Sequence, residues 1–174
     1  DGFLDLPQLT RYMAYNKWRY GNDKMKGFST QIGLRIVTER RVGGQMNYNS
    51  KSDEGSNAVY GQSVHYTQPE AYIKSTYRFS NKHAISLALS GFYHNQDSWF
   101  GITQYKAKQL SVYTNLQHEW QWRNTHSLKY GMSYRFQNIE ELIAFSDNSL
   151  NRTFAGKYVT KLDVPGFFAE NTFH

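Results

Sequence analysis

Cysteine is absent from this 174-residue chain, and proline occurs only three times. Without cysteine there is no disulfide framework and no thiolate zinc site, although the redox compartment stays open. No run approaches the ~18 apolar residues of a membrane-crossing helix, which excludes helical membrane proteins but not barrels, whose strands alternate. Signatures of catalysis are missing too: no GxSxG, HExxH or Gly-rich phosphate loop occurs. The chain therefore reads as a non-enzyme, with no cofactor implied. The opening "DGFLDLPQLT" has neither a basic n-region nor an apolar h-region, so either a leader has been removed or this is an internal piece.

Aromatic residues are abundant, with 14 Tyr, 11 Phe and 4 Trp, a composition that leans toward β-structure. A net charge of +6 raises nucleic acid as a partner, but the 20 Lys and Arg are spread over the chain. The densest cluster is "ERR" at Glu39–Arg41. The charge reads as a solvated surface, and no nucleic-acid contact is expected.

The stretch "HSLKYGMSYRFQ" (126–137) carries the main signal. Its even positions are His, Leu, Tyr, Met, Tyr and Phe; its odd positions are Ser, Lys, Gly, Ser, Arg and Gln. A period of two is what a strand with two unlike environments produces. A helix would gather Leu128, Met132 and Phe136 but wrap Tyr130 and Tyr134 away from them. The pattern recurs in "RYMAYNKWRY", "FSTQIGLRIVTE", "EAYIKSTYRF", "AISLALSGFYH" and "QLSVYTNLQHEWQ", and a seventh copy begins at "PGFFAENTFH".

Between these segments, "GNDKMKG", "SNKH" and "WRNT" are short hairpin turns. The joins at 40–69, 95–108 and 138–161 read as long loops, so short and long connections alternate. Short turns at one end, long loops at the other, and alternating strands of ~9–11 residues or more describe an outer-membrane barrel. Aromatic side chains also cluster at both ends of the segments. Trp18, Tyr20, Phe28, Tyr77, Phe79, Trp120 and Trp122 lie by the short turns, and Tyr93, Tyr134 and Phe136 by the long loops. Rings at two levels suit a bilayer with two interfaces. The expectation is an apolar face in lipid and a polar face on a lumen. A soluble lipocalin-like barrel that binds a ligand inside, with the apolar face inward, is the alternative. An open, odd-stranded sheet cannot sit alone in lipid. Either a strand is hidden in "GQSVHYTQ" or "RTFAGKYVTK", giving a small closed barrel with structural or adhesive loops, or the chain is a slice of a larger wall.

The phrases "DGFLDLPQLTRY", "FSTQIGLRIVTERRVGGQ", "SLALSGFYHNQDSWFGITQY" and "VPGFFAENTF" resemble the middle of the barrel in TonB-dependent outer-membrane receptors of the siderophore or cobalamin branch. The resemblance implies an all-β, antiparallel up-and-down transmembrane β-barrel segment, about seven strands of a larger barrel of about 22. Residues 1–174 would then be part of one barrel domain, the plug domain and the remaining strands being absent from this stretch. It further implies a Gram-negative outer-membrane location and TonB-energised uptake of a scarce nutrient. The implied partners are outer-membrane lipid, the protein's own N-terminal plug, TonB acting through that plug, a small-molecule chelate or cofactor as ligand, and a surface lipoprotein.

On the polar face, Arg35, Glu39, Glu70, Lys74, Arg78, Glu119, Lys129 and Arg135 are candidates for lining a solute path or contacting a plug. Charged, mutually paired groups are also what any wet barrel interior needs. Recognition is expected on the long loops, at Tyr48, Tyr60, His65 and Tyr66 in the first and Trp99, Phe100 and Tyr105 in the second. Rings with polar edges suit a flat chelate or corrinoid, and equally suit an outer aromatic girdle. The six His are scattered and no metal site is expected; Asp53-Glu54, Asp97 and Glu140-Glu141 read as solvated loop acids rather than Ca²⁺ ligands. "NRT" at Asn151 matches a glycosylation acceptor and carries no information in a bacterial setting.

Overall fold

The structure, a computed structural model, describes residues 2–22, 24–123, 125–147 and 154–173; Asn151 lies outside them. Seven strands follow one another: β1 (Gln8–Tyr20), β2 (Gly27–Gly44), β3 (Gly61–Ser80), β4 (His83–Phe100), β5 (Thr103–Arg123), β6 (His126–Phe145) and β7 (Gly156–Phe173). They form one antiparallel sheet in chain order, each strand paired with the next. The sheet is not closed, so β1 and β7 each keep an unpaired edge. No helix long and apolar enough to cross a membrane occurs among the described residues.

Register sorts the side chains. Ile32 faces Ile73, Ile73 faces Leu89, Leu87 faces Leu116, and Leu116 faces Met132. Because pleating sends neighbours along a strand to opposite sides, these residues share one face. The other face holds the chain Arg35–Glu70 across β2 and β3 and Glu119–Lys129–Glu170 across β5 to β7. The two-faced reading of the sequence is therefore the arrangement found from β2 to β6; on β7, Lys161 and Asp163 fall on the apolar side and Leu162 and Val164 on the polar one.

Nothing covers the apolar face. Among the described residues the buried apolar side chains are two alanines, Ala84 and Ala107, whereas Leu34, Ile36, Leu110 and Met132 stay 42–53 % exposed. At ~25 cal/mol per Å², so much apolar surface left in water would forfeit the main driving force of folding. Cohesion in the isolated sheet rests on the backbone ladder and on cross-strand side-chain pairs.

The apolar face is a band, not a full-length stripe. It runs from Ile85 to Tyr93 on β4, from Leu110 to Trp120 on β5 and from Leu128 to Phe136 on β6. Such spans match the ~9–11 residues of a tilted membrane-crossing strand. Its lower border, by the short turns, is a row of rings. His83 stacks on Trp120, Trp120 meets Trp122, Trp122 meets His126, and His126 meets Phe173, with centroids 4.7–6.2 Å apart.

Beyond the upper border the strands continue. On β4 to β6 the same face now carries Asn95, Asp97, Lys106, Lys108, Asn138 and Glu140. This overhang corrects the sequence reading of the connections. The joins expected at 40–69, 95–108 and 138–161 shrink to 45–60, 101–102 and 146–155. The middle one is a two-residue turn, closed where Phe100 faces Thr103 with Gly101 at φ 56°, so short and long connections do not alternate strictly. "GQSVHYTQ" is not a hidden strand but the first part of β3, and "KYVTK" opens a full-length β7. Tyr93, Tyr134 and Phe136 consequently sit in mid-strand, at the upper edge of the band.

The face assignment has a direct mutational consequence. Met132→Arg, in mid-band, should impair assembly into lipid by about 2–4 kcal/mol, whereas Ser133→Arg on the opposite face should cost far less. Refolding into vesicles, followed by heat-modifiable mobility on gels, measures both; equal damage would contradict the assignment.

Candidate functional site

The polar face is where the chain concentrates interacting chemistry. All eight of Arg35, Glu39, Glu70, Lys74, Arg78, Glu119, Lys129 and Arg135 fall on it by register. They do not form one cluster. Arg35 holds Glu70 through two bonds, Nε–Oε2 at 2.7 Å and Nη2–Oε1 at 2.6 Å, the fork geometry that makes Arg–carboxylate pairs strong and oriented. Arg78 reaches Glu119 at 3.4 Å across β4. Arg135 lies over the Tyr113 ring at 5.9 Å.

Glu39 is the anchor nearest the upper end. Its side chain is fully buried, and it accepts from Arg11 on β1, from Arg41 two residues along, and from the Tyr66 hydroxyl at 3.1 Å. A buried carboxylate is tolerable only with such partners. His94 packs on Tyr66 with ring centroids 5.2 Å apart and bridges Gln68 at 2.8 Å to Gln96 at 3.1 Å. Gln68 in turn donates to Glu70. The network thus runs unbroken from Arg11 to Arg35 across the first four strands.

Below it a depression of about 930 Å³ opens on the same face, lined by Arg35, Glu70, Tyr72, Phe92, Tyr113 and Arg135. That volume lies in the range of small-ligand sites, and its lining mixes rings with a few convergent charges. Tyr72 shapes it. The ring lies so close over Gly33 that a Cβ there would stand 2.1 Å from it, and its hydroxyl meets Tyr15 at 3.1 Å and Gln31 at 2.9 Å. The glycine is needed for close approach, not for turn geometry.

The recognition residues expected on loops are dispersed. Only Tyr48 and Tyr60 lie in a loop, 45–60; His65 and Tyr66 are on β3, Trp99 and Phe100 on β4, and Tyr105 on β5. Register further divides them. Tyr66, Phe100 and Tyr105 are on the polar face, Tyr105 donating to Glu141 at 2.7 Å. His65 and Trp99 are on the other face, above the band. There loop 45–60 folds down: Arg40 donates to Ser50 at 2.7 Å, Ser63 donates to Glu54 at 2.6 Å, and Gly55 packs on Trp99. Tyr48 lies against Gly61, and burial pushes its phenol above the ordinary range. Arg40, Glu54, Ser63, His65, Asp97 and Trp99 enclose a polar hollow of about 340 Å³. Tyr60 points elsewhere, toward Phe3, with centroids 6.4 Å apart.

No family model, curated protein or solved structure matches this chain. Its chemistry must be read from its own geometry. Among the described residues, no group of three or more His, Asp or Glu is placed to hold a metal ion. Sequence reasoning missed Tyr15, Tyr72, Tyr113 and His94, since each needs its cross-strand neighbour to acquire a role. Arg11 likewise meets its partner Glu39 only through the pairing of β1 with β2.

Gly33→Ala should destabilise the protein by about 1–3 kcal/mol through overpacking against Tyr72. In a Tyr72→Ala background the same change should be nearly neutral. A double-mutant cycle on unfolding in detergent reads the coupling; additive costs would mean that the ring does not depend on that glycine.

Proposed function

We propose that this chain is a section of the wall of a Gram-negative outer-membrane β-barrel receptor. The observation that carries the reading is the uncovered apolar band with a wet overhang above it and a ring of aromatics below. Lipid is the covering that removes the energetic cost of such a band without requiring a second protein layer. Strands of 18 to 21 residues from β2 to β7 fit the same picture, being far longer than the usual ~5–6 of soluble sheets.

The free edges shape the proposal further. Backbone groups at a sheet edge cannot stay unpaired in hydrocarbon. In a seven-stranded antiparallel meander β1 and β7 run in the same direction, so closing them on each other would need a parallel seam. Flanking antiparallel strands satisfy both edges, as in the larger barrel that the sequence resembles.

Within that barrel the polar face fronts the lumen. The network of Arg11, Glu39, Arg35 and Glu70 serves as a rigid, charge-balanced surface against which a plug docks. The depression around Tyr72, Tyr113 and Arg135 is the station for the transported solute, a ferric chelate or corrinoid with flat, polar-edged surfaces. Energy would enter through TonB acting on the plug, and a surface lipoprotein would assist capture.

Single-tryptophan variants in bilayers of bromine-labelled phosphatidylcholine test the membrane reading. Trp18 and Trp120 should be strongly quenched, and Trp99, above the band and under the loop, should be spared. Quenching of Trp99 equal to theirs would sink it. For transport, Arg135→Ala in the full-length receptor should lower uptake of labelled chelate or cobalamin about ten- to hundredfold, from loss of ~1.5–3 kcal/mol of charge-assisted bonding. Unchanged uptake of both solutes would remove that station from the path.

A further inference from the structure

Two features of the apolar face have no role in carrying a solute. The first is a furrow of about 770 Å³ that crosses β1 to β5. It exists because Pro69, Ala71 and Gly91 are small, while Leu34, Tyr93 and Leu110 rise around them. The furrow is almost wholly apolar.

The second is a group of lysines at its β5 end, Lys106 and Lys108 above Leu110 and Lys157 and Lys161 beyond β6 on β7. Lys108 shares a face with Leu110, two residues on, and faces Asn95 and Glu140 on its neighbours. Lys161 faces Asn138, one step away on the same face. Lys106 is tied to Asp97 at 3.6 Å and Lys157 to Glu140 at 3.2 Å. Among the described residues Lys108 and Lys161 make no salt bridge, and both are exposed. Two exposed ammonium groups without a salt bridge, Lys108 opposite Glu140 and Lys161 two residues from Asp163 on the same face, stand at headgroup level if that surface faces lipid. There each adds about 1 kcal/mol of attraction to an anionic headgroup.

We propose that this face holds an anionic membrane lipid, one acyl chain lying in the furrow and the phosphate resting on Lys108 and Lys161. The inference rests on the lipid-facing reading above. It goes beyond that reading in naming a specific, charge-selected annular site. Charge and shape each point to the same occupant: the furrow takes the chain and the lysines take the phosphate.

Native mass spectrometry of the full-length chain in detergent tests it, with phosphatidylglycerol and phosphatidylcholine of identical acyl chains as probes. The wild type should retain phosphatidylglycerol preferentially. Lys108→Gln and Lys161→Gln should each reduce that preference about fivefold, while Lys82→Gln, at a short turn, should leave it intact. Ala71→Phe should fill the furrow and weaken retention of both lipids, without changing binding of soluble glycerophosphate. A wild type without preference, or a doubly substituted protein that keeps it, overturns the proposal. So does displacement by millimolar inorganic phosphate alone, which would mark a free-anion site. Cross-linking of Ala71→Cys into dimers that lipid does not prevent would assign the furrow to a second copy and overturn it as well. If the bromine-labelled lipid still quenches Trp18 and Trp120, such failures fall on this site alone and not on the membrane reading.

Discussion

The inter-strand hydrogen-bond ladder is what everything else in this molecule hangs from. In a two-layer protein the core tells each strand where to lie. Here the described residues bury almost no apolar side chain, so register has to be fixed by backbone pairing and by whatever reaches across from strand to strand. A slip of one residue would turn Leu116 and Met132 to the side of Glu119 and Lys129, reversing both faces at once. The cross-strand pairs guard against that slip. Arg35 finds Glu70 directly opposite in the present register, and Arg11 finds Glu39 directly opposite likewise.

The same ladder explains what the sequence revealed and what it concealed. Within the band one face carries apolar side chains and the other polar ones, so residue type alternates, and "HSLKYGMSYRFQ" announces a strand. In the overhang both faces are polar. On β4, Asn95 and Asp97 occupy one side and His94 and Gln96 the other, so no alternation survives and the stretch imitates a loop. The backbone is as regular there as below; only the contrast between solvents has gone. Strand existence was therefore legible, and strand ends were not. The residues expected to form recognition loops fell in this blind zone, which is why five of the seven proved to be on strands.

Face was legible where position was not. Alternation alone placed all eight charged candidates on one side, but each partner depended on register, which has no local signature. Glu39 shows the limit. In the sequence it is one letter of "ERR", a stretch that looks like solvated charge. In the fold it is fully buried and ties β1, β2 and β3 together through Arg11, Arg41 and Tyr66. Gly33 is a similar case: in the sequence it interrupts an alternating strand, and in the sheet it is the floor on which Tyr72 rests.

The division of labour between the faces follows from their different demands. A surface in hydrocarbon asks only for apolar bulk, so side chains on such a surface are exchangeable so long as they avoid charge. A polar surface facing an enclosed aqueous space must satisfy each group it presents, and one altered partner strands another. Function is thus more densely written on the polar face, where Arg35, Glu70, Tyr72 and Arg135 converge on one depression. The overhang lies between these regimes, wet on both sides, and its pairs of opposite charge are the ones least shielded from salt. There loop 45–60 is held by single polar contacts, Arg40 to Ser50 and Ser63 to Glu54, rather than by a packed core.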